Sequence, residues 1–371
     1  MQKNKFYIIA GEASGDLHAS NLMKAMLTEN STCEFRFWGG DEMSKVGGTC
    51  VKHIRDLAFM GFVEVLMNLK TILGNLKFCK NDILEYKPDA IILVDYPGFN
   101  LRIAEWANKQ GIKVIYYISP QVWAWKQNRV HTIKKVVDEM YVILPFEKEF
   151  YKKFNFDVNY IGHPLLDAIS NYNITKSTNF IEKNQLDNRP IIAVLPGSRK
   201  QEVKKKLPIM LQSLEGFSNY QIIVAGAPSL EMAFYQTFID KYSNVKIVHS
   251  QTYDLLSNSE VAVVTSGTAT LETALFEVPE VVCYIGSSLS YLIAKQLIKI
   301  KYISLVNLIM DKEVVKELIQ KECNPKNIKE ELNQLVVGGK KREQILNDYK
   351  TLKNILGDGG ASLIIAKSIL K

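Results

Sequence analysis

The sequence predicts an α/β protein built from two doubly wound parallel-sheet domains facing one cleft. Short Val/Ile-rich runs alternate with helical patterns through most of the chain, as buried parallel strands joined by crossover helices do. The 371 residues are long for a single hydrophobic core. Two small-residue loops, AGEASGD at 10–16 and VVTSGTATLE at 263–272, lie near opposite ends of the chain, each between an apolar run and a helical pattern. A loop that opens a helix presents backbone N–H groups at the positive end of the helix dipole, which suits an anion, most often a phosphate.

The first sheet draws candidate strands from 6–10, 35–38, 90–94, 114–118, 139–142 and 158–161. The second draws on 191–195, 221–224, 245–248, 261–264 and 280–284. Between them, 171–188 is polar and poor in aliphatic residues, and Pro190 follows, as in a linker ahead of a fresh strand. The tail from 340 onward is helical, with a glycine break at 357–360. The expected division is a first domain over 1–170, a second over 171–345 and C-terminal helices over 346–371.

A hydrophobic content of 47% with 23% charged residues is ordinary for a soluble globular protein. The net charge of +7 suits anionic substrates, membrane headgroups or nucleic acid, and equally a solvated lysine-rich surface. The five cysteines form no C-x-x-C pair, so reduced thiols of a cytosolic protein are expected. The first apolar segment is too short for a signal peptide, and no apolar run approaches a bilayer span.

In AGEASGD, Gly11 and Gly15 permit tight turns and close ligand approach, while Ser14 and Asp16 are natural N-cap types. Glu12 would repel a phosphate, so it points instead to a hydroxyl or a sugar. An ordinary βα turn has the same composition. In IILVDYPGFN, 91–100, Asp95 ends an apolar run. Open α/β sheets bind ligands at that edge. Asp95 there is a candidate general base on a sugar hydroxyl, or else a turn-forming or capping residue. The segment 118–135 sets Trp123 and Trp125 among Lys126, Arg129, His131, Lys134 and Lys135. This suits an interfacial or phosphosugar site, or a packed tryptophan core. Aromatic and basic residues also mix in nucleic-acid sites, but nothing else in the chain resembles a nucleic-acid fold, and no nucleic-acid partner is expected.

In VLPGSRKQEV, 194–203, Pro196, Gly197 and Ser198 form a turn, and the planar fork of Arg199 matches diphosphate oxygens. In SGTATLE, 266–272, Ser266, Gly267 and Thr268 open a helix. Glu272, about a turn in, can accept from ribose hydroxyls while the helix terminus holds phosphate. Together, at strand ends of one domain, these motifs predict a nucleotide-diphosphate site. There is no D-x-D, no H-E-x-x-H and no Walker lysine, and the five histidines lack ligand spacing, so no metal and no cofactor are expected. Arg199 and helix dipoles can stabilise a departing diphosphate instead. Finally, 57–78 carries a broad apolar face interrupted by Glu64, Lys70 and Lys77, and 292–305 is a second apolar–basic stretch. The first reads as a core-facing helix, or as a patch that dips into a membrane or holds acyl chains with its lysines at the headgroups.

These segments resemble, in order and over nearly the whole chain, the lipid-A-disaccharide synthases. The likeness lies in AGEASGD at 10–16, MGFVEVL at 60–66, SPQVWAWKQNRV at 119–130, LPFEKEFY at 144–151 and IGHPLLDA at 161–168. It continues in LPGSRKQEV at 195–203, SGTATLE at 266–272, YISLVNLI at 302–309 and ELIQKECNP at 317–325. The family often has a second acidic residue after the strand-end Asp-x-Pro; here that position is Gly98.

The resemblance implies an inverting, metal-independent glycosyltransferase of the GT-B fold. It would join UDP-2,3-diacylglucosamine to 2,3-diacylglucosamine 1-phosphate (lipid X) through a β-1′,6 linkage and release UDP. It also implies a peripheral protein on the anionic inner face of a Gram-negative cytoplasmic membrane. On this reading Asp95 takes the proton of the acceptor 6-hydroxyl, with Glu12 the alternative base and Ser14 beside it. Arg199 and 266–268 would hold UDP, Glu272 the ribose, and Asn307 the uridine portion or the diphosphate. The C-terminal helices would pack back on the first domain or be exchanged in a homodimer. Rival expectations are another GT-B enzyme acting on UDP-GlcNAc, such as the peptidoglycan transferase or the 2-epimerase, and a non-catalytic nucleotide-sugar sensor.

Overall fold

The computed structural model describes residues 4–57, 69–124, 126–175, 179–286 and 301–371. The chain divides into two compact units, Met1–Ala168 with Asp358–Lys371, and Ile169–Gly357.

Among the described residues, the first unit holds seven strands: β1 (Lys5–Ala10), β2 (Glu34–Gly39), β3 (Thr49–His53), β4 (Ala90–Val94), β5 (Lys113–Tyr117), β6 (Glu139–Val142) and β7 (Asn159–Tyr160). Their order is β3-β2-β1-β4-β5-β6-β7, and every pairing is parallel. Side chains alternate across a strand, so β1 feeds two cores. Tyr7 and Ile9 pack with Trp38, Ile91 and Leu93 on one face. Phe6, Ile8 and Ala10 pack with Phe37, Ile92 and Val94 on the other.

The second unit holds β8 (Ile191–Leu195), β9 (Gln221–Gly226), β10 (Val245–His249), β11 (Ser259–Thr265), β12 (Glu280–Tyr284) and β13 (Lys316–Ile319). They form a parallel sheet ordered β10-β9-β8-β11-β12-β13.

Two strands, β3 and β13, lie outside the sequence expectation. Both are sheet edges, and of their residues (TCVKH and KELI) Leu318 alone is buried, so neither forms an apolar run. The polar stretch 171–188 is not an open linker. It begins inside the helix Pro164–Thr175 and includes the helix Phe180–Lys183. Phe180 is buried in the second unit's core, and the Tyr172 hydroxyl donates to Asp254 at 2.7 Å.

The division expected at 345/346 falls instead at 357/358, in the glycine break where Gly357 and Gly360 have φ of 80° and 99°. The helix Arg342–Leu356, with Tyr349, Leu352 and Leu356 buried, stays in the second unit. Only the last helix, Ala361–Ile369, joins the first. Its Ile365, Ala366 and Ile369 pack with Ala19, Leu22, Met23 and Met26 of the helix Ala13–Glu29. Asp167 caps it, accepting from the backbone N–H of Gly360 at 2.5 Å and of Ser362 at 2.8 Å.

Candidate active site

Each sheet reverses its strand order at one place, between β1 and β4 in the first unit and between β8 and β11 in the second. Ligands of open α/β sheets bind outside the carboxyl ends of the strands at such a switch point. The four motif loops stand there. Ala10 pairs with Val94, so AGEASGD and Asp95 leave adjacent strand ends. Leu195 pairs with Val264, so LPGSR and SGTATLE do the same in the second unit.

In the first unit the backbone at Asp95 and Tyr96 is left-handed, with φ of 47° and 46°. Two consecutive non-glycine residues in that region carry strain that surrounding contacts must hold. The Tyr116 hydroxyl donates to the Asp95 carbonyl at 2.6 Å, and buried Asn100 donates Nδ2 to the same oxygen at 2.8 Å. The Asp95 N–H donates to the Tyr117 carbonyl at 3.1 Å. The Tyr96 ring covers Gly11 so closely that a Cβ there would overlap it. The first glycine loop and the strand-end aspartate are thereby one packed assembly. Burial first, and the Glu12 charge second, push the Asp95 carboxyl up to about 7, against a lowering contribution from the Tyr96 backbone N–H. A carboxyl poised there is matched to proton transfer at neutral pH.

Glu12 is half-buried at the N-cap position of the helix Ala13–Glu29, and Ser14 is exposed in its first turn. Asp16 does not cap this helix. Its buried carboxylate accepts from the N–H groups of Gly40 at 2.7 Å, Glu42 at 3.0 Å and Met43 at 3.1 Å, and so caps the helix Asp41–Val46. Trp123 is a core residue, edge-on to Phe146 with ring centroids 5.0 Å apart, and Trp125 lies outside the described residues.

In the second unit Gly197 turns the chain with φ 112°, and Arg199 takes the N-cap position of the helix Lys200–Ser213. Its half-exposed guanidinium lies 3.6 Å from Glu202. On the adjacent strand, Ser266 donates its N–H to the Cys283 carbonyl at 3.0 Å and its hydroxyl to the Ile303 carbonyl at 3.2 Å. Exposed Gly267 then opens the helix Thr268–Leu275. Glu272 accepts from the Tyr253 hydroxyl at 2.9 Å, and burial raises its pKa while that bond opposes.

The Asn307 side chain is fully buried, and its amide is saturated within the fold. Nδ2 donates to the Val315 carbonyl at 2.8 Å and to Glu317 at 2.9 Å, while Oδ1 accepts from the N–H groups of Val314 at 2.8 Å and Val315 at 3.0 Å. The Glu317 carboxylate also accepts from the N–H groups of Ile303 and Ser304. Asn307 and Glu317 therefore brace the turn that Ser266 touches. Sequence reasoning missed Asn100, Tyr116, Tyr253 and Glu317 as supports; Asn100 and Glu317 carried a signal, lying in the strand-end segment of Asp95 and at the head of ELIQKECNP.

Among the described residues, no three His, Cys, Asp or Glu side chains gather as a metal-ligand set, and no helix is long and apolar enough to cross a membrane. The core of the apolar segment 57–78, residues 58–68, lies outside the described residues, as do 292–300 of the second apolar–basic stretch. The helix Leu69–Tyr86 is described, and it exposes Leu73 and Phe78.

The fold recurs in solved structures. The UDP-GlcNAc 2-epimerase from Neisseria meningitidis bound to UDP-GlcNAc superposes with a TM-score of 0.70 at 15% identity, covering 99% of each chain. The calicheamicin glycosyltransferase gives 0.61 at 14% identity, covering 100% of this chain and 96% of that one. Sequence relatives are more specific. The lipid-A-disaccharide synthase of Syntrophus aciditrophicus is 38% identical over 380 residues, spanning 100% of this chain and 99% of the relative. That of Myxococcus xanthus is 35% identical over 373 residues, spanning 99% and 97%. The family model for lipid-A-disaccharide synthetase matches residues 6–359. With both switch-point loop pairs inside that match, the chain belongs to the lipid-A-disaccharide synthase family, glycosyltransferases of the GT-B fold that form the lipid A disaccharide.

Proposed function

We propose that this chain joins UDP-2,3-diacylglucosamine to lipid X through a β-1′,6 linkage and releases UDP, by a single in-line displacement. Asp95 accepts the proton of the acceptor 6-hydroxyl as that oxygen attacks the anomeric carbon, and Glu12 and Ser14 bind sugar hydroxyls beside it. Arg199 and the N–H groups opening the helix at Thr268 neutralise the charge developing on the departing UDP. Ser266 and Gly267 bring the loop backbone close to the phosphates, and Glu272, oriented by Tyr253, accepts from the ribose. No metal or other cofactor is assigned a part. Asn307 supports the loop without touching substrate.

The observation that carries this reading is the Asp95 carboxyl, held in strained backbone at the switch point with its pKa raised to about 7. Losing a general base typically costs about 10²–10⁴ in rate. Asp95→Asn should lower kcat by that factor while the protein stays folded. A raised carboxyl pKa means that stability present below the ordinary carboxylate range is lost as pH rises through about 7. Asp95→Asn should therefore melt no lower than the parent at pH 8. Near-normal kcat in this variant would remove Asp95 from the mechanism. Turnover of plain UDP-GlcNAc as fast as of the diacylated donor would favour the epimerase-like or simpler transferase readings.

We further infer that the protein works as a peripheral enzyme on the anionic inner face of the cytoplasmic membrane, since both proposed substrates carry acyl chains. The exposed Leu73 and Phe78, flanked by Lys70, Lys77 and Lys80, support this. Co-flotation with anionic vesicles tests it, and loss of sugar transfer on dilution through the micromolar range would test a homodimer.

A further inference from the structure

Gly11 has no room for a side chain: a Cβ there would overlap the Tyr96 ring at Cγ, Cδ1 and Cδ2. At Gly15, the other glycine of AGEASGD, a Cβ would meet only ordinary contacts, the nearest 3.4 Å away on Ala10. The ring over Gly11 is itself packed. It stacks on Phe99 with centroids 5.6 Å apart, and Phe99 lies 5.1 Å from the ring of fully buried Trp38. The Trp38 indole donates to the Tyr7 hydroxyl at 2.9 Å, and that hydroxyl donates to Asp82 at 2.7 Å, so hydrogen bonds fix the far end of the stack. The Tyr96 backbone is tied as well. At the N-cap position of the helix Pro97–Lys109, its carbonyl accepts from the N–H groups of Phe99 at 3.2 Å and Asn100 at 3.0 Å. A ring packed against Gly11 and Phe99, on a backbone tied to a helix, leaves Tyr96 little freedom, and its neighbour in the chain is Asp95.

From this packing we propose that Gly11, Tyr96 and Tyr116 are positioning residues for the Asp95 general base. Gly11 seats the Tyr96 ring, and the seated ring together with the Tyr116 hydroxyl holds the left-handed backbone from which the carboxylate is aimed. The inference rests on the reading of Asp95 as the base. Sparsely populated backbone conformations persist only where the surroundings over-determine them. Here Tyr116 and Asn100 hold the Asp95 carbonyl, the Tyr117 carbonyl holds its N–H, and Gly11 acts through Tyr96. A methyl group at Gly11 would push on a ring already packed against Phe99, so the displacement passes into the Tyr96 backbone and on to Asp95. The first glycine of the loop thus serves the base rather than a phosphate. A reacting group misplaced by about 1 Å can lose about 10²-fold in rate.

The test is steady-state kinetics of the full chain with UDP-2,3-diacylglucosamine and lipid X, alongside UDP binding. Gly11→Ala should lower kcat by about 10²-fold while KM for both substrates and UDP affinity stay within about twofold, the mark of an interaction made only in the transition state. The acid limb of its kcat/KM profile should move to lower pH, because a carboxyl displaced from its buried seat returns toward the ordinary carboxylate range. Tyr96→Asn keeps a residue that tolerates left-handed backbone. It should lower kcat as well, and adding Gly11→Ala to it should cost nothing further. Unchanged kcat in folded Gly11→Ala, a loss of UDP or sugar affinity in place of kcat, or an undiminished cost of Gly11→Ala beside Tyr96→Asn would each overturn the proposal. If Gly11→Ala fails to fold, Tyr116→Phe decides, since it removes only the hydroxyl bonded to the Asp95 carbonyl. It should lower kcat about tenfold, as loss of one hydrogen bond does, with the same shift of the acid limb; parental kcat and limb would overturn the proposal. Asp95→Asn in parallel separates the two readings. A deep loss there with full kcat in Gly11→Ala sinks the positioning role alone, and near-normal kcat there sinks the base and the positioning role together.

Discussion

Asp95 and Glu12 divide one chemical problem between them. Burial is the larger cause of the raised Asp95 pKa, and the Glu12 charge is the second. A general base must be ionised, so kcat/KM should fall as pH drops through about 7. Glu12→Gln removes the like charge and leaves the burial. It should move that acid limb to lower pH without abolishing turnover. An acid limb that stays in place would show that Glu12 does not tune Asp95, and a loss as deep as that of Asp95→Asn would make Glu12 the base. Residue types in the sequence were enough to nominate both groups. They could not reveal that Tyr116 holds the Asp95 backbone, because that bond needs β4 and β5 side by side. Asn307 shows the converse. Its motif suggested a ligand contact, yet its four hydrogen bonds are spent on Val314, Val315 and Glu317.

Elements were legible in proportion to their burial. Strands such as β4 and β8, buried at every position, stood out as apolar runs. The edges β3 and β13 did not, since one side of each meets solvent and polar residues suffice there. The capping role of Asp16 was misplaced for a related reason: proximity in sequence pointed to its own helix, whereas its carboxylate reaches the helix Asp41–Val46. The helix Leu69–Tyr86 carries the testable membrane element. Leu76, Cys79 and Ile83 face the core, while Leu73 is 57% and Phe78 48% exposed. Leu73→Glu with Phe78→Glu should weaken vesicle binding by at least tenfold and lower the melting temperature only modestly, because Leu73 lies in solvent and Phe78, whose ring centroid is 6.2 Å from that of buried Trp38, is itself 48% exposed. Unaltered vesicle binding in the folded double variant would remove this face from membrane contact.

At the scale of the whole molecule, the repeated plan was readable because each unit sets its motif loops at its own switch point. What composition could not place was the chain's return, in which residues past Gly357 rejoin the first unit. That return fills the hydrophobic core over the helix Ala13–Glu29 with Ile365, Ala366 and Ile369, and it occupies the Asp167 carboxylate. Removing buried aliphatic side chains costs about 2–5 kcal/mol each, against a typical domain stability of about 5–15 kcal/mol. A chain ending at Gly357 should therefore lose most of the first unit's stability. In hydrogen exchange, backbone amides of β1, β2 and β4 should lose protection, while those of β8, β9 and β11 keep it. Retained protection throughout would mean the last helix is dispensable to that core. Equal loss in both sheets would mean the two units unfold as one cooperative body.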